Sequence, residues 1–429
     1  MTSLTSEKSS FNLPRDKCGP MPAFYGQPST NLSPLMRHLQ ITALIASICQ
    51  FASTVIAQEM WQAGFAVEKI TPAESLMLAG YASRSEGSQG VLDDLHAKAL
   101  ALIDADGKKA VIITADVIGF TADVGDPIRQ RIAAEHAVSF ERILLNASHT
   151  HTGPALRLTE REDSSPSAEH AAKTIAYTRY LQDVCVRLAG RALAAVQPAR
   201  LSLGNGVVHF PMNRREFTEK GVILGVNPRG LVDRGVSVLK IEDAKGKTLG
   251  VLFRASCHNT TFGSKDNQVS GDFAGHAQTH IEQALPGVQA MFMQGLAGDT
   301  NPYPNSHNDP AKRPASEIAK QHGAELGTEV LRVIGTTLKP VHGPLSIAYG
   351  AAKMPLMKRP SAGELGSLSK AGSWKKWVAE RMMADAAKSQ PAQSHYNAPV
   401  SVWQFGRDLT MVGLSGEVVI DYVPLIEQA

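Results

Sequence analysis

The stretch Arg142–Pro154, RILLNASHTHTGP, begins as an apolar run and ends in two histidines, His149 and His151. The apolar run predicts a buried strand, and strand residues two positions apart face the same side of a sheet. Both imidazoles can therefore reach one point in space if the strand geometry persists to His151. That arrangement is one way to begin a metal site. In a chain with 14 histidines such a pair also arises by chance, so the spacing alone leaves both interpretations open.

Strands and helices are predicted to alternate on both sides of this stretch. The runs KALALID and AVIITAD flank a turn at Asp106-Gly107 and predict a hairpin, and the same design recurs in GVSVLKIED and TLGVLFRASCH. Helices are predicted over DPIRQRIAAEHA with Pro127 in its first turn, then from about Ala168 to Val196, Phe273 to Leu285 and Ala311 to Ile334. The pattern predicts an α/β fold, with a mixed central β-sheet flanked by helices in a single large catalytic domain.

The rest of the chain is predicted in less detail. The segment 355–396 is polar and is predicted to be mostly helical. Two last strands, VSVWQF and LTMVGLS, lead to Gly416-Glu417 and a final helix.

Six polar side chains fall at the ends of predicted strands: Asp116, His149, His151, His258, Asp299 and Glu417. Ligands of open α/β sheets collect at the carboxyl ends of strands, and randomly placed histidines would fall on helices as often. Two imidazoles and a carboxylate would give three ligands of a catalytic zinc site, with the fourth position open to water. The histidines in helical or loop contexts are predicted to be solvated or satisfied in the core: His96, His170, His276, His280 and His322.

Composition and charge exclude several classes of protein. The chain has 429 residues, of which 43% are hydrophobic and 19% charged, which is typical of a folded globular protein. The net charge is +3, and the basic residues are scattered among acidic ones, so no nucleic-acid partner is predicted. No CxxC pair is present, so a metal would be held by histidine and carboxylate. The cysteines Cys185 and Cys257 are either a disulfide or two buried thiols.

The segment Met36–Gln58, MRHLQITALIASICQFASTVIAQ, has the parts of a secretory signal: a short basic start, an apolar run and a small-residue cleavage site. The alternative is a membrane anchor, although the run of about 17–18 residues is short for a stable span. We therefore expect a signal peptide over residues 36–57 and a secreted or periplasmic protein. Residues 1–35 are then a disordered upstream extension, and residues 58–429 form the catalytic domain. Of the other two cysteines, Cys18 lies in the extension and Cys49 lies in the signal.

Seven sequence blocks, in order along the chain, carry a resemblance to a known family. They are LMLAGYASRSEGSQGVLDDLHAKALAL, SHTHTGP, MNRRE, VLFRASCHNTTF, SGDFAG, MQGLAGDTNP and LSGE. Together they resemble the neutral/alkaline non-lysosomal ceramidases, zinc-binding hydrolases of N-acylsphingosines. A lone HxH would be weak support, but seven ordered blocks from about residue 62 to 425 are specific.

The resemblance implies roles for individual residues. His149, His258 and Glu417 correspond to zinc ligands, and His151 lies beside the substrate in the active site. Arg214 and Asp299 are expected to bind the substrate. The implied activity is hydrolysis of the amide bond of ceramide or a related N-acyl lipid by zinc-activated water, with a possible peripheral contact to membranes.

Asn301 departs from the family pattern. In the family's GDxSP element a serine is regarded as essential for amide hydrolysis, and here the element reads GDTNP. An amide cannot act as a hydroxyl nucleophile, but it can donate a hydrogen bond to a developing oxyanion. Asn301 is therefore a candidate catalytic residue that would donate a hydrogen bond and not act as a nucleophile. Either zinc-activated water alone then attacks the amide, or the substrate differs from ceramide.

The C-terminal end departs from the pattern as well. The family completes its zinc shell with a tyrosine some tens of residues beyond the glutamate, whereas Ala429 follows Glu417 by twelve residues. Tyr422 is too close to be that residue and is placed in a helix that Glu417 begins. The resemblance thus implies a truncated catalytic domain that turns over amides weakly.

Two other interpretations compete with the enzyme. One is a secreted binding protein that keeps the fold, and with it the metal, but has lost catalysis. The other is a TIM-barrel amidohydrolase with an HxH on its first strand, which fits poorly because at least three predicted strands precede His149.

Overall fold

Fifteen strands and seven helices lie in the part of the chain that the computed structural model describes, residues 61–159, 167–370, 374–387 and 393–428. The strands are β1 (Trp61–Lys69), β2 (His96–Ile103), β3 (Lys109–Ala115), β4 (Ile143–Ala147), β5 (Gln197–Val207), β6 (Pro211–Thr218), β7 (Gly221–Asn227), β8 (Gly235–Asp243), β9 (Thr248–Ala255), β10 (Gln289–Gln294), β11 (Thr300–Pro302), β12 (Lys339–Val341), β13 (Leu345–Pro355), β14 (His395–Phe405) and β15 (Leu409–Leu414). The helices are α1 (Ala122–His136), α2 (Ala168–Ala194), α3 (Asp272–Ala284), α4 (Ala315–Ile334), α5 (Ala362–Leu368), α6 (Trp374–Ala387) and α7 (Tyr422–Glu427).

The central sheet has nine strands. Eight follow the order β10-β9-β8-β5-β1-β2-β3-β4, and β12 pairs with β5. The two outermost pairs, β9 with β10 and β3 with β4, are parallel, and the other neighbours are antiparallel. The predicted mixed sheet of an α/β domain is therefore confirmed.

Both faces of the sheet are buried. In β2, Leu100 and Leu102 point to one face, while Ala99 and Ala101 point to the other. The alanine face packs against α1 and α2, and its continuation on β8 and β9 packs against α3 and α4. The leucine face packs against the three-stranded sheet β13-β14-β15, which contributes the buried Trp403. The four long helices thus cover one face, and a second sheet covers the other.

The sheet curls until its two ends meet. β4 and β10 lie at opposite ends of the strand order, yet the backbone N–H of Gln294 donates to Asn146 Oδ1 (3.0 Å). Beyond the strands, Thr150 forms a parallel bridge with Asn259, whose Nδ2 donates to Ser148 O (2.5 Å). This closure brings the segment after β4 beside the segment after β9.

Most predicted helices are present, with shifted starts. α1 begins at Ala122, so Pro127 lies inside the helix and not in its first turn as predicted. α4 begins at Ala315 and not near Ala311, because Pro314 precedes it. The final helix begins at Tyr422, so the prediction that Glu417 starts it was wrong.

The hairpin β6–β7 and the long strand β13 were not predicted from the sequence. β6 pairs with β11 on one side and with β7 on the other, and β13 pairs with β14 along its whole length. The segment predicted as mostly helical therefore holds two helices between two strands.

The predicted extension over residues 1–35 and the predicted signal over residues 36–57 lie outside the described residues. Within the described residues, no helix is both long enough and apolar enough to cross a bilayer. Cys185 and Cys257 are both free and buried, which resolves the two alternatives in favour of thiols.

Candidate metal centre

The side chains of His149, His151 and His258 meet in one place. One ring nitrogen from each lies within 4.8 Å of the others, and the Nε2 atoms of His149 and His151 are 3.4 Å apart. The first two residues follow β4 and the third follows β9. The cluster therefore exists because the sheet closes on itself.

The backbone at His149 departs from strand geometry. β4 ends at Ala147, and His149 has a φ of 63°, in the left-handed region that residues with a Cβ rarely adopt. Its N–H donates to Val117 O (3.0 Å), which holds the turn against the segment after β3. The condition that strand geometry persists to His151 is therefore not met. The two rings converge through a turn and not through strand alternation.

Hydrogen bonds to carbonyl groups orient two of the rings. The Nδ1 atom of His149 donates to Ile118 O (2.7 Å), and that of His258 donates to Ala297 O (2.6 Å). A carbonyl oxygen only accepts, so each Nδ1 carries a proton, and in the neutral ring Nε2 is then the nitrogen with a free lone pair. This is the arrangement by which proteins hold a histidine as a metal ligand. Burial lowers the pKa of His149, which also favours the neutral ring.

Glu417 lies on the solvent side of the cluster, with its side chain 55% exposed. Its carboxylate oxygens are 3.1 Å from His258 Nε2 and 3.7 Å from His149 Nε2. The hydrogen bond with His258 is the largest cause that lowers the pKa of Glu417 to about 2, so the carboxylate is ionised. The three predicted metal ligands, His149, His258 and Glu417, are therefore brought together.

The donor set fits a divalent cation. Because His258 Nδ1 donates to a carbonyl, the Nε2 atom of the ring faces the Glu417 carboxylate, at 3.1 Å. Two electron-rich atoms this close require a proton or a cation between them. Imidazole nitrogens with a carboxylate are a donor set that zinc prefers.

His151 differs from the other two histidines. Its Nδ1 is buried without a hydrogen-bond partner among the described residues, and its Nε2 faces His149 Nε2. Burial lowers the pKa of His151 to about 2. The ring is close enough to serve as a ligand and is also placed to face a bound substrate, so its geometry fits both roles.

Arg214 and Asn301 lie beside Glu417. The Arg214 guanidinium donates to Asn301 Oδ1 (3.1 Å) and to Gly298 O (2.7 Å), and it lies 3.6 Å from Glu417 Oε2. Thr260 Oγ1 also donates to Asn301 Oδ1 (3.1 Å). These two donors fix the orientation of the amide, so the Nδ2 group of Asn301 is the end left to donate to a substrate. Arg214 sits where the pairing register of β6 and β7 shifts, a local irregularity that turns its side chain toward the site.

Asp299 is buried, and its contacts are to protein and not to open space. Oδ1 accepts from the backbone N–H of Ile420 (3.0 Å), and Oδ2 accepts from Asn213 Nδ2 (3.2 Å). Next to it, the N–H of Gly298 donates to Val418 O (2.9 Å). The structure thus gives Asp299 the position of an anchor for the segment that carries Glu417. Its contact with a substrate stays a prediction.

Sequence reasoning did not single out Gly80, Tyr81 and Arg84, although they lie in the first motif block. The Tyr81 ring packs edge-on against His151, with centroids 5.0 Å apart. Arg84 donates to His151 O (2.5 Å), and a Cβ on Gly80 would lie 2.2 Å from His151 Nδ1. These three residues form the wall behind His151. The sequence offered one cue to them, the glycine, and the structure shows that this glycine has a φ of 89°.

The remaining strand-end candidate, Asp116, does not join the cluster. It is buried and accepts from the backbone N–H of His96 (2.9 Å). His322 stacks on Phe210 with centroids 4.7 Å apart, as expected for a core histidine.

Comparison with known proteins gives a consistent relationship. Residues 61–316 match the sequence model of a family described as neutral/alkaline non-lysosomal ceramidase, N-terminal. Neutral ceramidase A of Dictyostelium discoideum is 26% identical over 266 residues, and the neutral ceramidase of Mycobacterium tuberculosis is 23% identical over 263 residues. Each match covers 56% of this chain, but only 36% and 40% of the two relatives.

Solved structures agree with the fold. The crystal structure of neutral ceramidase from Pseudomonas aeruginosa is similar with a TM-score of 0.65 and 21% identity, over 86% of this chain and 64% of that one. A structure of ceramidase complexed with C2 has a TM-score of 0.64 and 19% identity, over 86% of this chain and 65% of that one. At these identities the similarity establishes the fold alone.

Proposed function

Because the chain belongs to the neutral/alkaline non-lysosomal ceramidase family, we propose that it is a zinc-dependent amidohydrolase that cleaves the N-acyl amide bond of ceramide or a related N-acyl lipid. The observation that carries this proposal is the convergence of His149, His151 and His258 beside the Glu417 carboxylate. A group of buried and half-buried imidazoles next to a carboxylate is a donor set for a catalytic metal ion.

His149, His258 and Glu417 would hold the zinc ion. When bound, the ion would lower the pKa of a water molecule toward about 7 and polarise the amide carbonyl. The carbonyl acceptors Ile118 O and Ala297 O keep the two rings in the tautomer that ligation requires.

The other side chains of the site would act on the substrate. His151 would orient the attacking water or give a proton to the leaving amine nitrogen. Asn301 Nδ2 and the Arg214 guanidinium would donate to the carbonyl oxygen as negative charge develops on it. Since Arg214 also holds Asn301 Oδ1, the two donors are positioned as one unit.

A second candidate function is a ceramidase-like binding protein that is weakly active or inactive. Asn301 favours it, because no hydroxyl nucleophile stands at that position and the Thr260 hydroxyl is engaged with the Asn301 amide. Such a protein would bind zinc and the N-acyl lipid without appreciable turnover.

The test combines metal analysis with hydrolysis of ceramide before and after treatment with a chelator. We expect about one zinc per chain, lost in His149→Ala and in His258→Ala, and amide hydrolysis that the chelator abolishes and added zinc restores. His170→Ala, a histidine whose ring contacts Ser167 and not the cluster, is the matched control and should keep both the zinc and the hydrolysis. Full zinc occupancy in both cluster variants would contradict the ligand assignment. Zinc binding without hydrolysis would favour the binding protein.

Export remains part of the proposal. If the segment 36–57 is a cleaved signal, protein recovered from a secreting host will begin at or near Gln58. Recovery of chains that begin at Met1 and stay in the cytoplasm would contradict it.

A further inference from the structure

The hairpin formed by β6 and β7 carries an unusual number of exposed apolar side chains. Phe217 is 77% exposed, Leu224 67%, Val222 54% and Ile223 48%. In folded proteins single exposed apolar residues are common, but a contiguous group marks a contact surface.

Three of these side chains share one face of the hairpin. Phe217 pairs with Val222, and Leu224 pairs with Arg215 two positions further along. Directly paired residues, and residues two apart on one strand, lie on the same side of a sheet. Phe217, Val222 and Leu224 therefore form a continuous apolar face, and Ile223 lies on the opposite side.

Basic residues lie in the hairpin and in the segment that follows it. The segment 211–234 exposes four basic residues, Arg215, Lys220, Arg229 and Arg234. Its one exposed acidic residue is Glu219. Among the described residues none of these four cations forms an ion pair. Lys220 lies in the hairpin turn, and Arg215 pairs with Leu224, although its guanidinium also donates to Gly298 O (3.2 Å). An apolar face with cations beside it is the combination that binds an anionic lipid surface.

The hairpin is connected to the candidate metal centre through strand β6. Arg214, whose guanidinium contacts Asn301 and lies near Glu417, belongs to the same strand as Phe217. Three strand residues span roughly 10 Å, so the apolar face begins close to Arg214.

We propose that the β6–β7 hairpin seats on the anionic headgroup region of a lipid bilayer and presents membrane-borne substrate to the metal centre. That it presents a substrate rests on the proposed function, whereas the contact itself rests on the hairpin alone. In the described part of the chain β7 pairs with β6 only, so its outer edge carries backbone groups that need water or phosphate partners. The contact is therefore at the interface and not in the hydrocarbon.

A second copy of this chain is the less suitable occupant. Stable dimers bury about 800 Å² from each partner, and four side chains on a two-stranded hairpin provide less than that. The uncompensated positive charge would also be repeated on both copies and would oppose their association.

The experiment measures flotation of the full chain with vesicles of phosphatidylcholine, alone or mixed with phosphatidylglycerol. We expect binding to the mixed vesicles, reduced at least about tenfold in Phe217→Ser/Leu224→Ser and weakened in Lys220→Glu. The matched controls are Met354→Ser/Met357→Ser, a pair of exposed apolar residues elsewhere, and Lys245→Glu, a lysine in another hairpin turn. Both controls should bind as the wild type does.

Each outcome separates the contact from the activity. Equal flotation of the hairpin variants and the wild type would overturn the proposal, as would a dimer that the hairpin variants abolish without any vesicle binding. Hairpin-dependent flotation in a protein that leaves ceramide intact would support the contact and contradict the proposed function. Ceramide hydrolysis that is lost from vesicles but kept in detergent solution by Phe217→Ser/Leu224→Ser would support both.

Discussion

Gly80 shows how one residue without a side chain shapes the site. Its φ of 89° suits glycine, and the space where a Cβ would stand is filled by the His151 ring. The residue is thus constrained twice, by its backbone conformation and by a neighbour of the metal centre.

Gly80→Ala should therefore lower amide hydrolysis by about tenfold or more, because displacement of His151 misplaces a group at the reacting bond. The left-handed backbone alone should cost about 1 kcal/mol of stability. Gly107→Ala is the matched control, since Gly107 has a φ of 76° but nothing within 4 Å of its would-be Cβ. It should lose similar stability and keep its activity. If the two variants have equal activity, the Gly80 contact does not position His151.

At this scale the sequence predicted which side chains meet but not how they are oriented. His149, His151, His258, Arg214 and Asn301 were identified from motifs, and the structure brings them together. The orientation of the Asn301 amide depends on Thr260 and Arg214, which are 41 and 87 residues away. Contacts of that range leave no local pattern in the sequence.

Among the elements, the loop after β10 holds the segment that carries Glu417. The Gly298 N–H donates to Val418 O, and the Asp299 carboxylate accepts from the Ile420 N–H. The exposed Glu417 is therefore placed by buried contacts on the residues that follow it.

Asp299→Ala should weaken zinc binding by roughly tenfold, because Glu417 loses its anchor although no ligand is removed. It should also destabilise the protein by about 2–4 kcal/mol, since Ile420 N–H and Asn213 Nδ2 lose a charged acceptor. Asp104→Ala is the control: Asp104 is a buried carboxylate that accepts from the Leu345 N–H, so stability should fall while zinc affinity stays. Titration with a chromophoric chelator measures the zinc affinity of both variants, and urea unfolding measures their stability. Unchanged zinc affinity in Asp299→Ala would show that the Asp299 anchor is not needed to place Glu417.

The sequence predicted the elements with regular periodicity and missed those without it. β2 and β3 are largely apolar runs buried on both faces, and α2 and α3 have buried residues at helical spacing. The β6–β7 hairpin lacks one, because its apolar residues face solvent. Strand formation there depends on pairing with β11 and not on a buried stripe.

For the whole molecule, Asp272 couples stability to pH. Burial, with a smaller contribution from the nearby Asp93, raises its pKa from 3.8 to about 6, although backbone N–H groups of Thr261 and Phe273 donate to it. Between pH about 4 and about 6 the folded chain keeps a proton that the unfolded chain has released. The free energy of unfolding should therefore fall as the pH rises through this window, by on the order of 3 kcal/mol.

Asp272→Asn should remove this part of the pH dependence, because asparagine does not titrate and tolerates the left-handed backbone at this position, where φ is 54°. Urea unfolding of wild type and variant from pH 4 to pH 7 measures the difference. The slopes are compared and not the absolute stabilities, since the variant loses one acceptor. Parallel curves would mean that Asp272 stays ionised across the window.

The closure of the central sheet has a consequence for motion. The two ends of the sheet are joined by few backbone hydrogen bonds, so local opening along this seam should be cheaper than elsewhere in the sheet. A cation shared by His149 and His258 would cross the seam and would stabilise the closed form by mass action. Amide hydrogen exchange in β4 and β10 should then slow markedly on addition of zinc, while exchange in β1, at the middle of the sheet, should not change. In that case the metal ion would hold the two ends of the sheet together in addition to its part in the chemistry.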